Sequence, residues 1–104
     1  MEIDNIPCVM FDNEFGEREE FEAKSRGYLS GVQAVFVDGR TYDLTFWSCT
    51  RLQQDLEDLI PQGIFHIADP GMIVVSEITL PIIQSVVLRL NQEQYFESLV
   101  PMKR

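Results

Sequence analysis

At 104 residues, 45% of them hydrophobic, the chain can bury one core, so we expect a single domain over residues 1–104. Its 17 acidic and 8 basic residues give a formal net charge of −9, which argues against DNA, RNA or an anionic membrane surface as partner. A membrane-spanning helix needs about 18 consecutive apolar residues, and no apolar run in the sequence is that long. The first residues lack the basic region of a secretory signal, and we expect a cytoplasmic protein.

The N-terminal part of the chain combines an edge strand with an ambiguous segment. Residues 6–11 are an apolar run that contains a proline, which predicts an edge strand or the lead-in to one. Residues 17–26 fit a helix, since acids come early, bases come late and Gly27 follows. They also fit a strand in which apolar and polar residues alternate. We favour the strand because a helix here would contain only one large apolar residue, Phe21, and could bury little surface. Gly27 and Gly31 predict a bend or bulge before the next strand.

Residues 32–46 carry a strong hairpin signal, with β-branched and aromatic residues on both sides of Asp38-Gly39. A two-residue turn and a three-residue loop ending in a left-handed Gly39 both fit, but they place different side chains together. We favour the three-residue loop, because a slip of one residue flips every side chain and this register gathers the apolar ones. One face then holds Val32, Ala34, Phe36, Tyr42, Leu44 and Phe46, and the other holds Gln33, Val35, Thr41, Asp43, Thr45 and Trp47.

The hydrophobic period becomes helical after the hairpin. A stripe of apolar residues and the capping-box spacing from Thr50 to Gln53 predict a helix over about 50–60. The helix is expected to end at the proline and glycine of residues 61–63. Three acids lie toward its C-terminal end, where the helix dipole disfavours each anion by a few tenths of a kcal/mol. Such a broken local rule either marks a functional surface or is simply tolerated. The stripe is Leu52, Leu56, Leu59 and Ile60, and the acids are Asp55, Glu57 and Asp58.

Two apolar runs follow, separated by a predicted type II turn at Asp69-Pro70-Gly71. Residues 64–68 fit either a hairpin partner or an irregular lead-in. Residues 72–76 lack alternation, which predicts a central strand buried on both faces.

A second helix is predicted over residues 79–91. Thr79 is the expected N-cap, a proline falls in the first turn, and Asn91 is the expected left-handed stop. Residues 93–100 fit further helical turns or a last edge strand, and residues 101–104 are expected to fray. The apolar face of the helix is Ile82, Ile83, Val86, Val87 and Leu90.

Strands followed by helices indicate an α+β fold. We expect a mainly antiparallel sheet of about 4–6 strands, with the helices at about 50–60 and 79–91 packed on one face. The other face would be solvated or covered by a partner, and Val35 with Trp47 makes it a candidate interface.

The sequence offers little for catalysis, and we expect no enzyme activity, no cofactor and no metal site. His66 lies among apolar residues, which favours a buried structural histidine. Cys8 and Cys49 are expected to be buried free thiols, with a disulfide as the main alternative. A Cys49–His66–Asp69 nucleophilic set can be written, but no oxyanion-hole glycines accompany it.

We therefore predict a small acidic binding protein with a basic protein as its partner. Eight of the first 22 residues are acidic, against one arginine, and carboxylates that meet Lys and Arg form charge-assisted pairs. An inhibitor or immunity protein for a basic toxin or nuclease is the most specific form of this hypothesis. The alternative is a self-associating structural or regulatory subunit, with a homodimer possible. The predicted partner-binding residues are Asp12, Glu14, Glu17, Glu19, Glu20, Glu22, Asp43, Trp47, Asp55, Glu57 and Asp58.

Overall fold

The computed structural model describes residues 6–102, and it has the predicted α+β class. Four strands form one sheet in the order β1-β2-β3-β4, with the first three antiparallel and β4 parallel to β3. None of the helices in this range is long and apolar enough to cross a membrane. The elements are β1 (Cys8–Phe11), α1 (Glu17–Arg26), β2 (Tyr28–Val35), β3 (Thr41–Ser48), α2 (Cys49–Leu59), a 3-10 turn (Ile60–Gln62), β4 (Met72–Val75), α3 (Leu80–Gln92) and a second 3-10 turn (Tyr95–Ser98).

The central hairpin has the predicted register. The backbone N–H of Phe36 donates to the carbonyl of Arg40 at 2.8 Å, and Gly39 has a φ of 96°, as a three-residue loop requires. The strands then pair Val32 with Leu44 and Ala34 with Tyr42. All six side chains assigned to the apolar face are buried, namely Val32, Ala34, Phe36, Tyr42, Leu44 and Phe46.

The core lies between this face of the sheet and helices α1 and α3. Ile83 and Val87 of α3 are buried against it, as is Ala23 of α1. Phe46 and Leu44 lose all their exposed surface, and each contributes about 1.5–3 kcal/mol through burial alone. Helix α2 supplies no buried side chain, and its leucine stripe lies outside this core.

Residues 17–26 form a helix, so the favoured strand interpretation was wrong. Phe21, which a strand would have turned inward, is 70% exposed, and Ala23 is the one buried residue of α1. Interactions at the two ends of the helix stabilise it instead. Acids occupy its first turn, bases its last turn, and Gly27 takes the left-handed conformation and donates its N–H to Ala23. The expected bulge is confirmed, because the pairing of β2 with β3 shifts between Leu29 and Val32.

Strand β4 is an edge strand, which corrects the prediction of a central strand buried on both faces. Its hydrogen-bonded neighbour is β3, and Val74 is 45% exposed. Residues 64–68 form no strand, in line with the irregular alternative, so the outer side of β4 has no partner strand within the described chain. Gly71 has a φ of 77° and Met72 donates to the Asp69 carbonyl, as expected for a type II turn.

The predicted helix boundaries are close to those observed, with two corrections at the caps. Ser48, not Thr50, caps α2, and its hydroxyl accepts from the backbone of Arg51 at 3.2 Å. Thr79 caps α3 as expected, but the left-handed residue after that helix is Gln94, not Asn91.

The C-terminal segment forms a further turn of helix, not an edge strand, and Phe96 within it is buried. The fraying expected from residue 101 is wrong for Met102, whose N–H donates to the Thr41 carbonyl at 2.7 Å. Lys103 and Arg104, the remainder of the expected tail, lie outside the described residues, as does the start of the chain on which the absence of a secretory signal was argued.

Candidate partner-binding site

Basic side chains are mostly taken up by internal ion pairs. Of the six in residues 6–102, five form salt bridges, at nitrogen–oxygen distances of 2.8–3.4 Å. The sixth, Arg26, donates to the Tyr28 carbonyl at 3.2 Å. Consequently, most of the predicted partner-binding acids have no cation partner in this range, namely Asp12, Glu14, Glu17, Glu19, Glu20, Asp43, Glu57 and Asp58.

A concave pocket, which we call the acidic pocket, lies where the end of β1 meets α1. Four acids and one base, Arg26, line it, and the acids are Asp12, Glu14, Glu19 and Glu22. Its volume is about 260 Å³. Phe11 and Phe15, which also line it, are stacked with ring centroids 4.5 Å apart and an interplanar angle of 4°. A pocket lined by both carboxylates and aromatic rings suits the head group of a Lys or Arg side chain.

Asp12 is held in place by neighbouring strands. Its N–H donates to the Gly31 carbonyl at the bulge of β2, at 2.8 Å. Its carboxylate accepts from the side-chain amide of Gln33 at 2.7 Å, and the same amide lies 3.4 Å from Asp43. Two carboxylates on the outer face of the sheet therefore share one neutral donor, and their negative charge is not compensated there.

Two of the predicted acids have roles inside the fold. The carboxylate of Glu19 accepts from the backbone of Gly16 at 3.0 Å and closes the first turn of α1. Glu20 accepts from the backbone N–H of Leu80 at 2.6 Å, and so joins α1 to the first residue of α3. No sequence pattern predicts this second contact, because its partners are 60 residues apart.

A second concavity, which we call the Trp47 groove, lies between α2 and the turn before β4. Trp47, Leu59 and Ile67 line it together with three acids, and its volume is about 400 Å³. Trp47 is positioned by an edge-on contact with Tyr28, with ring centroids 4.5 Å apart. The acids at the groove are Asp55, Asp58 and Asp69.

The three acids differ in how they are engaged. Asp55 pairs with Arg51 at 3.0 and 3.2 Å, and Arg51 is itself tied to the Arg26 carbonyl. The carboxylates of Asp58 and Asp69 accept no hydrogen bond from any residue in 6–102. Asp69 is not among the partner-binding residues predicted from the sequence. The one sequence feature that bears on its position is the predicted turn at residues 69–71, after which the chain forms the strand beside β3.

Of the remaining predicted residues, Glu17 and Glu57 lie outside these two concavities, whereas Glu22 lines the acidic pocket. Glu17 is exposed in the first turn of α1, and Glu22 pairs with Arg18 at 3.4 Å across the helix surface. Glu57 is exposed and accepts from Gln53 at 3.2 Å.

The candidate nucleophiles and metal ligands are not buried, contrary to expectation. Cys8 and Cys49 are both free and exposed. His66 is exposed, because the segment 64–69 has no regular structure and does not join the core. No three His, Cys, Asp or Glu side chains between residues 6 and 102 are placed to hold a metal ion.

Comparisons with known proteins add no further information about this site. A scan against protein-family models, a search of curated proteins and a search of solved structures each gave no match.

Proposed function

We propose that this protein is a non-catalytic acidic binding protein and that its partner is a basic protein. The observation that supports this proposal is the distribution of ion pairs. Five of six basic side chains in residues 6–102 are neutralised within the chain, whereas Asp12 and Glu14 at the acidic pocket, and Asp58 and Asp69 at the Trp47 groove, have no cation partner in that range. The two free, exposed thiols are typical of a reducing compartment, so we place the interaction in the cytoplasm.

The physical basis is steering followed by pairing. A net charge of −9 attracts a basic protein at long range and raises the association rate. Once docked, Lys or Arg groups enter the acidic pocket and form charge-assisted hydrogen bonds with Asp12 and Glu14. Inhibition of a basic toxin or nuclease is the most specific form of this proposal, since an acidic protein can cover the surface with which such an enzyme binds nucleic acid.

The proposal is tested by using the immobilised protein as bait in a lysate of the source cell, at low and at high salt. We expect retained proteins to be basic and to elute at high salt, because exposed ion pairs are screened. The variant Asp12→Asn/Glu14→Gln/Asp58→Asn should retain much less of them.

The matched control is Glu77→Gln/Glu93→Gln/Glu97→Gln, which removes the same charge outside both concave surfaces. It should retain the same proteins as the wild type. Equal losses in both variants would mean that net charge alone attracts these proteins. A retained partner that is acidic, or that is insensitive to salt, would contradict the proposal.

A second candidate function is self-association through the outer face of the sheet. Met10 and Val74 on this face are 52% and 45% exposed, so both apolar side chains are accessible to a second copy of the chain. Asp12 and Asp43 lie on either side of Gln33 on this face, however, and two copies would bring like charges together. Sedimentation at high salt distinguishes the two functions: a stable dimer favours self-association, and a monomer favours the acidic binding protein.

A further inference from the structure

We propose that the Trp47 groove receives an apolar side chain of the basic partner, with Lys or Arg residues on either side of it pairing with Asp58 and Asp69. This inference rests on the proposed function and adds to it a docking site and the chemistry of the partner segment. The segment is amphipathic and basic, not merely positively charged.

The apolar floor of the groove consists of Trp47, Leu59 and Ile67, which the fold buries only in part. Helix α2 has a leucine stripe on one side, yet none of its residues is fully buried. Outside the groove lining, the adjoining chain exposes Ile60 to 46% and Phe65 to 72%. Ile64 lies beside Leu59, to whose carbonyl its N–H donates at 3.2 Å. Apolar side chains that line a concavity, with further exposed apolar residues nearby in the chain, are typical of an interaction site.

The rim of the groove defines the charge of the occupant. Asp58 and Asp69 have no partner within residues 6–102, and both border the same concavity. A bound segment that buried the floor would also bring these carboxylates into an environment with less water, where an unpaired charge is costly and a paired one is strengthened. Lys or Arg flanking the apolar anchor meets that requirement.

A second copy of this chain is a poor occupant. A two-fold contact through the groove would place two sets of Asp55, Asp58 and Asp69 opposite one another, with one internal arginine per set to offset them. The volume of about 400 Å³ is within the range of about 300–1,000 Å³ for pockets that bind small ligands. It is sufficient for one large apolar side chain.

The test uses a synthetic amphipathic peptide of leucine and lysine, with binding followed by calorimetry and by the fluorescence of Trp47, the one tryptophan of the chain. We expect the peptide to shift that fluorescence to shorter wavelength. Two control peptides, one with glutamate in place of lysine and one with serine in place of leucine, should bind at least about tenfold more weakly. Binding of the lysine–serine peptide equal to that of the leucine–lysine peptide would refute an apolar anchor.

The variant Asp58→Asn/Asp69→Asn should weaken the leucine–lysine peptide about tenfold. Its control, Glu93→Gln/Glu97→Gln, removes the same charge elsewhere and should change affinity less than about twofold. Ile67→Ser, a change outside the buried core, should also weaken binding. Unchanged affinity in both groove variants overturns the inference.

Two other results separate this inference from the proposed function. If Asp12→Asn/Glu14→Gln weakens the peptide and the groove variants do not, the docking site is wrong and the acidic binding protein stands. If the protein alone sediments as a dimer that Ile67→Ser dissociates, a second copy occupies the groove, and the inference is overturned.

Discussion

The contact between Glu20 and helix α3 is a sharp test of the structure, because it separates a carboxylate that stabilises the fold from its exposed neighbours. Replacing Glu20 with Ala leaves the N–H of Leu80 without its partner at 2.6 Å and removes an anion from the N-terminus of α3. A hydrogen bond to a charged group contributes about 1.5–3 kcal/mol, and an anion at a helix N-terminus contributes about 0.3–1 kcal/mol. Because the site is partly exposed and the two effects overlap, we expect the free energy of unfolding to fall by about 2 kcal/mol. In a domain of this size, that corresponds to a fall of about 8 °C or more in the melting temperature.

The measurement is urea unfolding followed by circular dichroism and Trp47 fluorescence. Glu20→Gln keeps an acceptor and should lose about half as much free energy. Glu17→Ala removes an exposed acid from the same first turn and should cost less than about 0.5 kcal/mol. A loss for Glu20→Ala no larger than that for Glu17→Ala would show that the interhelical contact does not stabilise the protein.

Three further predictions follow from particular contacts. Gly71→Ala should lower the free energy of unfolding by more than about 3 kcal/mol, because the new Cβ would lie 2.3 Å from the Asp43 carbonyl oxygen. Gly39 has a comparable φ but open space around it, so Gly39→Ala should lower it by about 1 kcal/mol. Equal losses of stability in thermal unfolding would contradict this prediction. Burial raises the pKa of Tyr95, although a backbone hydrogen bond from Gly71 opposes the rise, so stability that is present below pH 10 should be lost as the pH rises through the pKa of the folded protein. Tyr95→Phe should lessen that loss of stability at alkaline pH. If the variant and the wild type have the same dependence of stability on pH, ionisation of Tyr95 is not its cause. Both cysteine thiols should react with a disulfide reagent in the folded protein, and a thiol that reacts only after unfolding would contradict its exposure.

The hairpin could be predicted from sequence because every local constraint favoured one register. Asp38-Gly39 fixed the loop, and the alternation of apolar residues then determined which loop length was possible. Helix α3 was predictable for a similar reason, since cap, first-turn proline and apolar face agree.

Helix α1 and strand β4 were wrongly predicted because the deciding interactions are weak or distant. The pattern of residues 17–26 fits both periods, and end effects of a few tenths of a kcal/mol favour the helix. For β4, the continuous apolar run indicated burial on both faces. Its neighbour on the outer side would have been residues 64–68, which remain irregular, so the strand lies at the edge of the sheet.

The candidate site was predictable in composition but not in arrangement. The sequence shows which residues are acidic, and a pattern of acids alone cannot distinguish Glu20, which joins two helices, from Glu14, which borders an open pocket. Asp69 was missed because its position at the groove depends on the parallel pairing of β4 with β3, and that pairing is not encoded by any local motif.

The acids of α2 show how a local irregularity connects to the proposed function. All three lie toward the end of a helix that has no basic residue in its last turn, where anions are disfavoured. Asp55 is neutralised by Arg51 and Glu57 accepts from Gln53, so the helix surface compensates for these two. Asp58 has no such partner, and it borders the groove that Leu59 of the same helix also lines. A carboxylate that stabilises neither its helix nor a neighbouring side chain has its full hydrogen-bonding capacity available for a basic group from another protein.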